Sequence, residues 1–265
     1  GVSIVTKVDS ANKAKHEKLS DKTTEALRAI THADSLFHTL YFSQLEKEME
    51  ARGESLGEAG NNASESVNHT EFSNVVHNFI RQMLLGLKAD TAANEAIAAL
   101  KNGEKPLIAL ENTMGSFLNE YADANSLSDG DSLGDFGYRN VLSRALERSR
   151  YIIHKNAQGE EERMFIQLSE LDPKTRAAYD QAQKIIDKLD IDIPVSPLDW
   201  IRHRIQQAGY SVAEITGRDM AVDYSTKTPT LTKVPLIEQN DKVNTTRMFN
   251  DGRLDAVILN VSGST

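Results

Sequence analysis

Three short stretches carry residues suited to holding an anion: LENTMG at 110–115, EITGR at 214–218 and LNVSGST at 259–265. Each runs from an apolar segment into hydroxyl or amide side chains with a glycine among them. Hydroxyls and free backbone N–H groups suit phosphate oxygens, and glycine lets a backbone approach closely. Arg218 adds a fixed positive charge to the second stretch.

Other chemistries are poorly supplied. The chain has no cysteine, which excludes disulfides, cysteine metal sites and a thiol nucleophile. No GxxxxGK[ST] loop is present to cradle a triphosphate, and no GxSxG elbow. The seven histidines (His16, His32, His38, His69, His77, His154 and His203) form no HExxH or other metal-ligand spacing. They read as surface or capping residues, and no pair of carboxylates stands out as acid and base. The expectation is therefore a chain with no catalytic residue and no metal site.

The three stretches make one site only if the strands before them lie parallel. Parallel strands end on one shared edge, and ligands bind in the crevice there. The same residue types also serve as N-caps in ordinary strand-to-helix turns. The order of elements must therefore separate the two readings.

Helical spacing of Leu27, Ile30, Phe37, Tyr41 and Leu45 predicts a helix over about 21–51. Residues 51–70 are rich in Gly, Ser and Asn and read as a loop. Phe72, Val75, Val76, Phe79, Ile80, Met83, Leu84 and Leu87 mark an amphipathic helix, read as a face packed inward. A separate helix is expected from Thr91 to Asn102, with Asp90 as N-cap and Gly103 as its left-handed terminator. Leu107–Leu110 reads as a buried strand, followed by a turn and a helix from about Met114. A loop over 125–137 precedes a helix expected from Tyr138 to His154, then a strand at Arg163–Leu168 and a helix from Pro173 to Asp190. Ser196 is placed to cap a helix that has Pro197 first and Gly209 after its end. Val212–Ile215 reads as a strand running into Thr216, Gly217 and Arg218. Thr228–Ile237 is a strand or an extended arm. Asn240–Asn250 reads as a helix with Val243 and Phe249 inward, and Ala256–Asn260 as the last strand. The alternation in the second part predicts an α/β fold with a parallel sheet and crossover helices.

At 265 residues, 39% of them hydrophobic, the chain can bury one large core or two small ones. The net charge of −9 disfavours a stand-alone nucleic-acid binder that works by bulk electrostatics. Any such contact must use a local patch, hydroxyls and backbone N–H groups. No apolar run is long enough for a membrane span, and the first residues do not resemble a signal peptide. Gly1 stands without an initiator Met, and the chain stops inside the loop after the last strand. Both features suggest a piece of a larger protein.

Three blocks together resemble a known family: GEKPLIALENTMGSFL, IPVSPLDWIRHRIQQAGYSVAEITGRD and RMFNDGRLDAVILNVSGST. They resemble the C-terminal lobe of strawberry notch-like superfamily 2 helicases, including large phage and bacterial antirestriction proteins that join a methyltransferase to a helicase. The likeness covers 103–124 and 193–265 well and the rest loosely. It implies a RecA-like sheet, incomplete at its C-terminus, with a helical region over 1–102 and a helical insertion at about 125–192. Glu111, Asn112, Thr113 and Gly115 match motif IV, which faces the nucleic-acid backbone. Thr216, Gly217 and Arg218 match a second turn on that side. Ser262, Gly263, Ser264 and Thr265 match the start of motif V. Arg247 resembles a basic residue on the helix before it, and reads equally as a surface residue.

The family's ATP-binding lobe and its motif VI have no counterpart in these residues. The likeness thus implies ATP and Mg²⁺ for the full-length parent and none for this chain, which by itself is expected to hydrolyse no ATP. Implied partners are DNA, with RNA left open, and the ATP-binding lobe of the same parent, in a bacterial cytoplasm or a phage virion. The alternative is a non-catalytic interaction module with a RecA-like shape, favoured by the acidic balance and the amphipathic helix. A small-molecule enzyme is a weaker third reading, because no catalytic constellation supports it.

Overall fold

The computed structural model describes residues 12–51, 69–134, 136–155, 161–235 and 242–260. The chain is α/β, with seven helices and a three-stranded parallel sheet among the described residues. It divides into two compact units. One holds Gly1–Asp9, Arg81–Gly137 and Asp192–Thr265, and the other Ser10–Ile80 and Tyr138–Ile191. The grouping differs from the expected boundary at residue 102, because the stretch expected as an insertion joins the N-terminal helices.

In that second unit, α1 (Lys13–Ala51) packs along α5 (Pro173–Asp187) and α4 (Tyr138–Arg148). Its buried stripe is Leu19, Ala26, Ile30, Ala33, Phe37 and Tyr41, at spacings that keep one helical face inward. The start of α5 is set by Asp172, whose carboxylate accepts from the N–H of Lys174 (2.9 Å) and Thr175 (3.1 Å), with Pro173 at the first helical position.

The helix expected to run to His154 ends at Arg148, and Tyr151–Lys155 forms strand β2 instead. It pairs antiparallel with β3 (Glu161–Phe165), which begins and ends earlier than the expected strand at 163–168. The switch occurs at Arg150. Its carbonyl accepts from the Ile166 N–H at 3.0 Å, its Nε donates to the Ile166 carbonyl at 3.0 Å, and its guanidinium lies 4.2 Å from the Phe165 ring centroid. These cross-strand contacts outweigh the helical spacing of the residues before them.

The other unit is built on the parallel sheet, in the order β1 (Leu107–Leu110), β7 (Ala256–Asn260), β4 (Val212–Ile215). Helix α2 (His69–Lys101) is continuous where two helices were expected. Asp90 lies inside it and caps nothing. Ala89, Ala93, Ala96 and Leu100 continue one apolar stripe without a break, and pack with Leu198, Ile201 and Ile205 of α6 (Pro197–Gln207) and with Val212, Ala256 and Ile258 of the sheet. Gly103 (φ 77°) ends α2 and Gly209 (φ 89°) follows α6, both left-handed as the sequence suggests.

In the amphipathic stretch of α2, Phe79 and Met83 are buried, whereas Ile80 and Leu84 are exposed. The side chains of Phe72, Val75 and Val76 lie outside the described residues. Leu107, expected in a buried strand, is 57% exposed, because β1 is an edge of the sheet. A second small core joins α3 (Gly115–Ala124) to the antiparallel hairpin of β5 (Met220–Asp223) and β6 (Thr230–Lys233), through Leu118, Ala122, Val222 and Leu231. In α7 (Lys242–Asn250) the buried residue is Thr245, and Val243 points outward at 78% exposure. No helix among the described residues is long and apolar enough to cross a membrane.

Candidate functional site

The sheet brings the three strand ends together. Leu110 pairs with Asn260 and Ile215 with Leu259, in parallel register, so β1, β7 and β4 finish abreast. The turns that follow β1 and β4 therefore open on one edge. Ser262, Gly263, Ser264 and Thr265, which follow β7, lie outside the described residues.

The turn after β1 is closed by its own side chains. Asn112 Oδ1 accepts from the Met114 N–H at 3.1 Å, and Thr113 Oγ1 accepts from the Gly115 N–H at 3.4 Å. Met114 adopts a left-handed conformation (φ 58°) and is buried. This turns the chain sharply, and α3 begins at Gly115. Its first turn carries no acidic residue, and Met114 offers no side-chain cap. A β-carbon at Gly115 would stand 3.3 Å from Thr113 Oγ1 and 3.5 Å from the Arg218 β-carbon. Glycine thus leaves room for the Thr113 hydroxyl within this turn, and the turns after β1 and β4 lie at ordinary van der Waals distance.

The turn after β4 is held from beneath. Thr216 Oγ1 donates to Glu214 Oε1 at 2.6 Å, and Gly217 takes φ 75° with open space around it. Arg218 is buried. Its Nε donates to Glu214 Oε1 (2.8 Å), one terminal nitrogen to Asp199 Oδ2 (2.9 Å), and the other to Glu214 Oε2 (2.8 Å) and Asp199 Oδ1. Four of its five N–H donors are used. Burial alone would push the guanidinium toward its neutral form, but the Asp199 and Glu214 carboxylates hold it firmly charged. Burial likewise opposes ionisation of Glu214, yet bonds and charge from Arg218, with help from Thr216 and Arg202, keep its carboxyl below the usual range.

This corrects the sequence reading of Arg218 as a charge offered to a ligand. A buried guanidinium whose charge is balanced by two carboxylates, with one N–H donor left over, offers little to a phosphate. Asp199 accepts further bonds from Ser196 Oγ (2.6 Å) and the Val222 N–H (2.8 Å), and so ties α6, the turn and β5 together. Ser196 itself occupies the N-cap position of α6 but makes no side-chain cap, since its hydroxyl is committed to Asp199.

Two more expected contacts change character. Glu111 is exposed and pairs with Arg81 at 3.0 Å, which places a carboxylate, not a phosphate-binding group, on the edge. Arg247 sits in the last turn of α7 and donates to Asn244 Oδ1 at 3.2 Å. The end of α7 is fixed by Lys105, whose Nζ donates to the carbonyls of Phe249 (2.7 Å) and Asn250 (3.4 Å). Lys105 precedes β1, so this end of α7 lies at the opposite edge of the sheet. The surface reading of Arg247 is the one its position favours.

Asp199 and Glu214 were missed as organisers of the site. The signal was present: a glutamate within the apolar run VAEI requires a buried cation, and Arg218 follows four residues later. Among the described residues no group of three or more His, Cys, Asp or Glu side chains could hold a metal ion.

Fold and edge together define an α/β protein whose parallel strands end in a pair of tightly braced, hydroxyl-bearing turns. No protein-family model, characterised protein or solved structure matches the chain.

Proposed function

We propose that this chain is the second lobe of an ATP-dependent superfamily 2 helicase or translocase of the strawberry notch-like kind, from a phage or bacterium, acting in antirestriction. In this reading the parent's other lobe supplies the ATP and Mg²⁺ site. This lobe grips the backbone of DNA, and the cycle of lobe closure moves it along the strand. The observation that carries the reading is the parallel alignment of the ends of β1, β7 and β4, with Asn112, Thr113, Thr216 and Gly217 on the turns beyond them. The first turn of α3 carries no acidic residue, and its backbone N–H groups beyond Gly115, which Thr113 holds, are suited to a phosphate. Contact falls to the Thr113 hydroxyl, the Asn112 amide and backbone N–H groups, because Arg218 is committed to Asp199 and Glu214 and the Thr216 hydroxyl proton to Glu214. Such contacts position a strand without reading its bases.

The test is fluorescence anisotropy of a labelled single-stranded oligonucleotide at two stated salt concentrations. Asn112→Asp keeps the acceptor for the Met114 N–H and adds one negative charge at the edge. Binding that weakens about tenfold in this variant, with its melting temperature unchanged, supports the reading; that factor corresponds to about 1.4 kcal/mol. Equal binding by both proteins, or no binding at low salt, refutes it. The latter outcome transfers support to a protein-interaction module, for which the acidic balance already speaks.

A further inference from the structure

Beside the turn after β4 lies a group of three rings that the backbone grip does not use. Trp200 and His203, one helical turn apart on α6, have centroids 5.8 Å apart and planes tilted by 37°. Tyr224, just after β5, meets Trp200 edge to face at 5.3 Å and lies 6.4 Å from His203. All three are partly exposed. Two are fixed by their polar ends. Trp200 Nε1 donates to Asp90 Oδ1 at 2.7 Å, and the Tyr224 hydroxyl accepts from the Ser196 N–H at 3.3 Å.

Rings pinned in this way lose little freedom when a further ring stacks on them. Trp200 packs inward on the core of α2 and α6, and Tyr224 on that of α3 and the hairpin, so the surface left to a ligand is their outward, partly exposed side together with His203. The nearby carboxylates are already engaged. Asp90 also accepts from Arg204 (2.8 Å), and Asp223 accepts from the Ser225 N–H (2.8 Å). The group is joined to the edge through Asp199, which sits beside Trp200 in the chain and binds both Arg218 and the Val222 N–H.

We propose that Trp200, His203 and Tyr224 form a stacking platform for an unpaired nucleobase of the strand whose backbone lies along the sheet edge. The inference rests on the proposed backbone grip and adds to it a class of ligand group. Trp200 and His203 already touch, so the base stacks on an outer face and does not insert between them. Stacking of this kind tolerates any base, in keeping with a lobe that does not read sequence.

Trp200 is the one tryptophan of the chain, so its fluorescence reports this site alone. The protein is titrated with an oligothymidylate and with an abasic strand of equal length and charge, and binding of each is followed in parallel by anisotropy. The platform predicts quenching by the base-bearing strand and not by the abasic one. It also predicts that His203→Ala weakens the base-bearing strand at least about fivefold and leaves the abasic strand unchanged. Tyr224→Phe, which keeps the ring, retains the quenching. Equal quenching by both strands, or equal weakening of both by His203→Ala, overturns the platform. Binding of both strands without base-dependent quenching overturns it while the backbone grip stands. Binding of neither strand removes the grip and the platform together.

Discussion

Arg218 and Asp199 face each other across the start of α6 and the turn after β4, with side chains only 4% and 2% exposed. Glu214, 1% exposed, completes the enclosure from β4, and Arg202 pairs with its second oxygen at 3.0 Å. Two cations and two carboxylates thus balance in a largely buried space and link α6, β4 and β5. The arrangement fixes the turn carrying Thr216 and Gly217.

Asp199→Ala should therefore destabilise the fold severely. It strips Arg218 of two acceptor contacts and leaves the Val222 N–H buried without its partner. Breaking a buried pair from one side costs about 3–5 kcal/mol. Chemical denaturation measures this directly, and a loss under about 1 kcal/mol would mean that water reaches the cluster.

The same cluster makes the fold sensitive to acid. The Glu214 carboxyl lies below its ordinary value of 4.5, so its contribution is present above that pH and is lost as pH falls through the lower folded-state value. Glu214→Gln should flatten the acid limb of a stability-versus-pH curve. An acid limb identical to that of the parent protein would assign the sensitivity elsewhere.

Asp34 on α1 has the opposite sign. Burial pushes its carboxyl from an ordinary 3.8 up to about 7, with His38 Nε2 3.7 Å away. Its contribution is fully present below about 3.8 and declines as pH rises to about 7. Asp34→Asn should raise the melting temperature at pH 8 and leave it nearly unchanged at pH 4. A variant less stable at pH 8 would show that the charged carboxylate is the form the fold needs.

Lys105 reaches the last carbonyls of α7 from the start of β1 and lies 5.5 Å from the Phe249 ring centroid. Lys105→Met keeps the stem and removes the donor. The expected loss is about 1 kcal/mol, seen as a fall of about 2–4 °C in Tm. Retention of the full melting temperature would reduce this contact to a solvated surface pair.

ATP hydrolysis offers a check that depends on neither turn. These residues hold no P-loop, so the purified chain should hydrolyse no ATP with or without DNA. Nucleic-acid-stimulated phosphate release that survives removal of contaminating ATPases would overturn the expectation.

How much of this was legible beforehand follows from the range of the forces involved. Leu107–Leu110, Val212–Ile215 and Ala256–Asn260 were readable as strands because short apolar runs bounded by Gly and polar turns have few other uses. Pro173 and Pro197 at helix starts, and Gly103 and Gly209 after helix ends, act within a few residues and were equally readable. The parallel edge followed from the strand–helix alternation, since a crossover helix returns the chain to the same end.

The sequence by itself determined the three strands of the parallel sheet, the helix starts at Pro173 and Pro197, the helix ends before Gly103 and Gly209, and the hydroxyl-bearing turns, because these depend on neighbours in the chain. Only the tertiary structure decided what each charge does. Arg218 was readable as a ligand contact until Asp199, nineteen residues earlier, and Glu214 closed on it. Asp90 was readable as a cap until α2 ran past it and turned its carboxylate to Trp200 and Arg204. Residues 151–155 left the helical pattern because Arg150 met Ile166 and Phe165. In each case at least one deciding partner is distant in sequence: Asp199 for Arg218, Trp200 and Arg204 for Asp90, and Ile166 for Arg150. A charge or a backbone group takes the partner that folding brings within reach, because leaving it buried and unpaired costs more than any local preference gains.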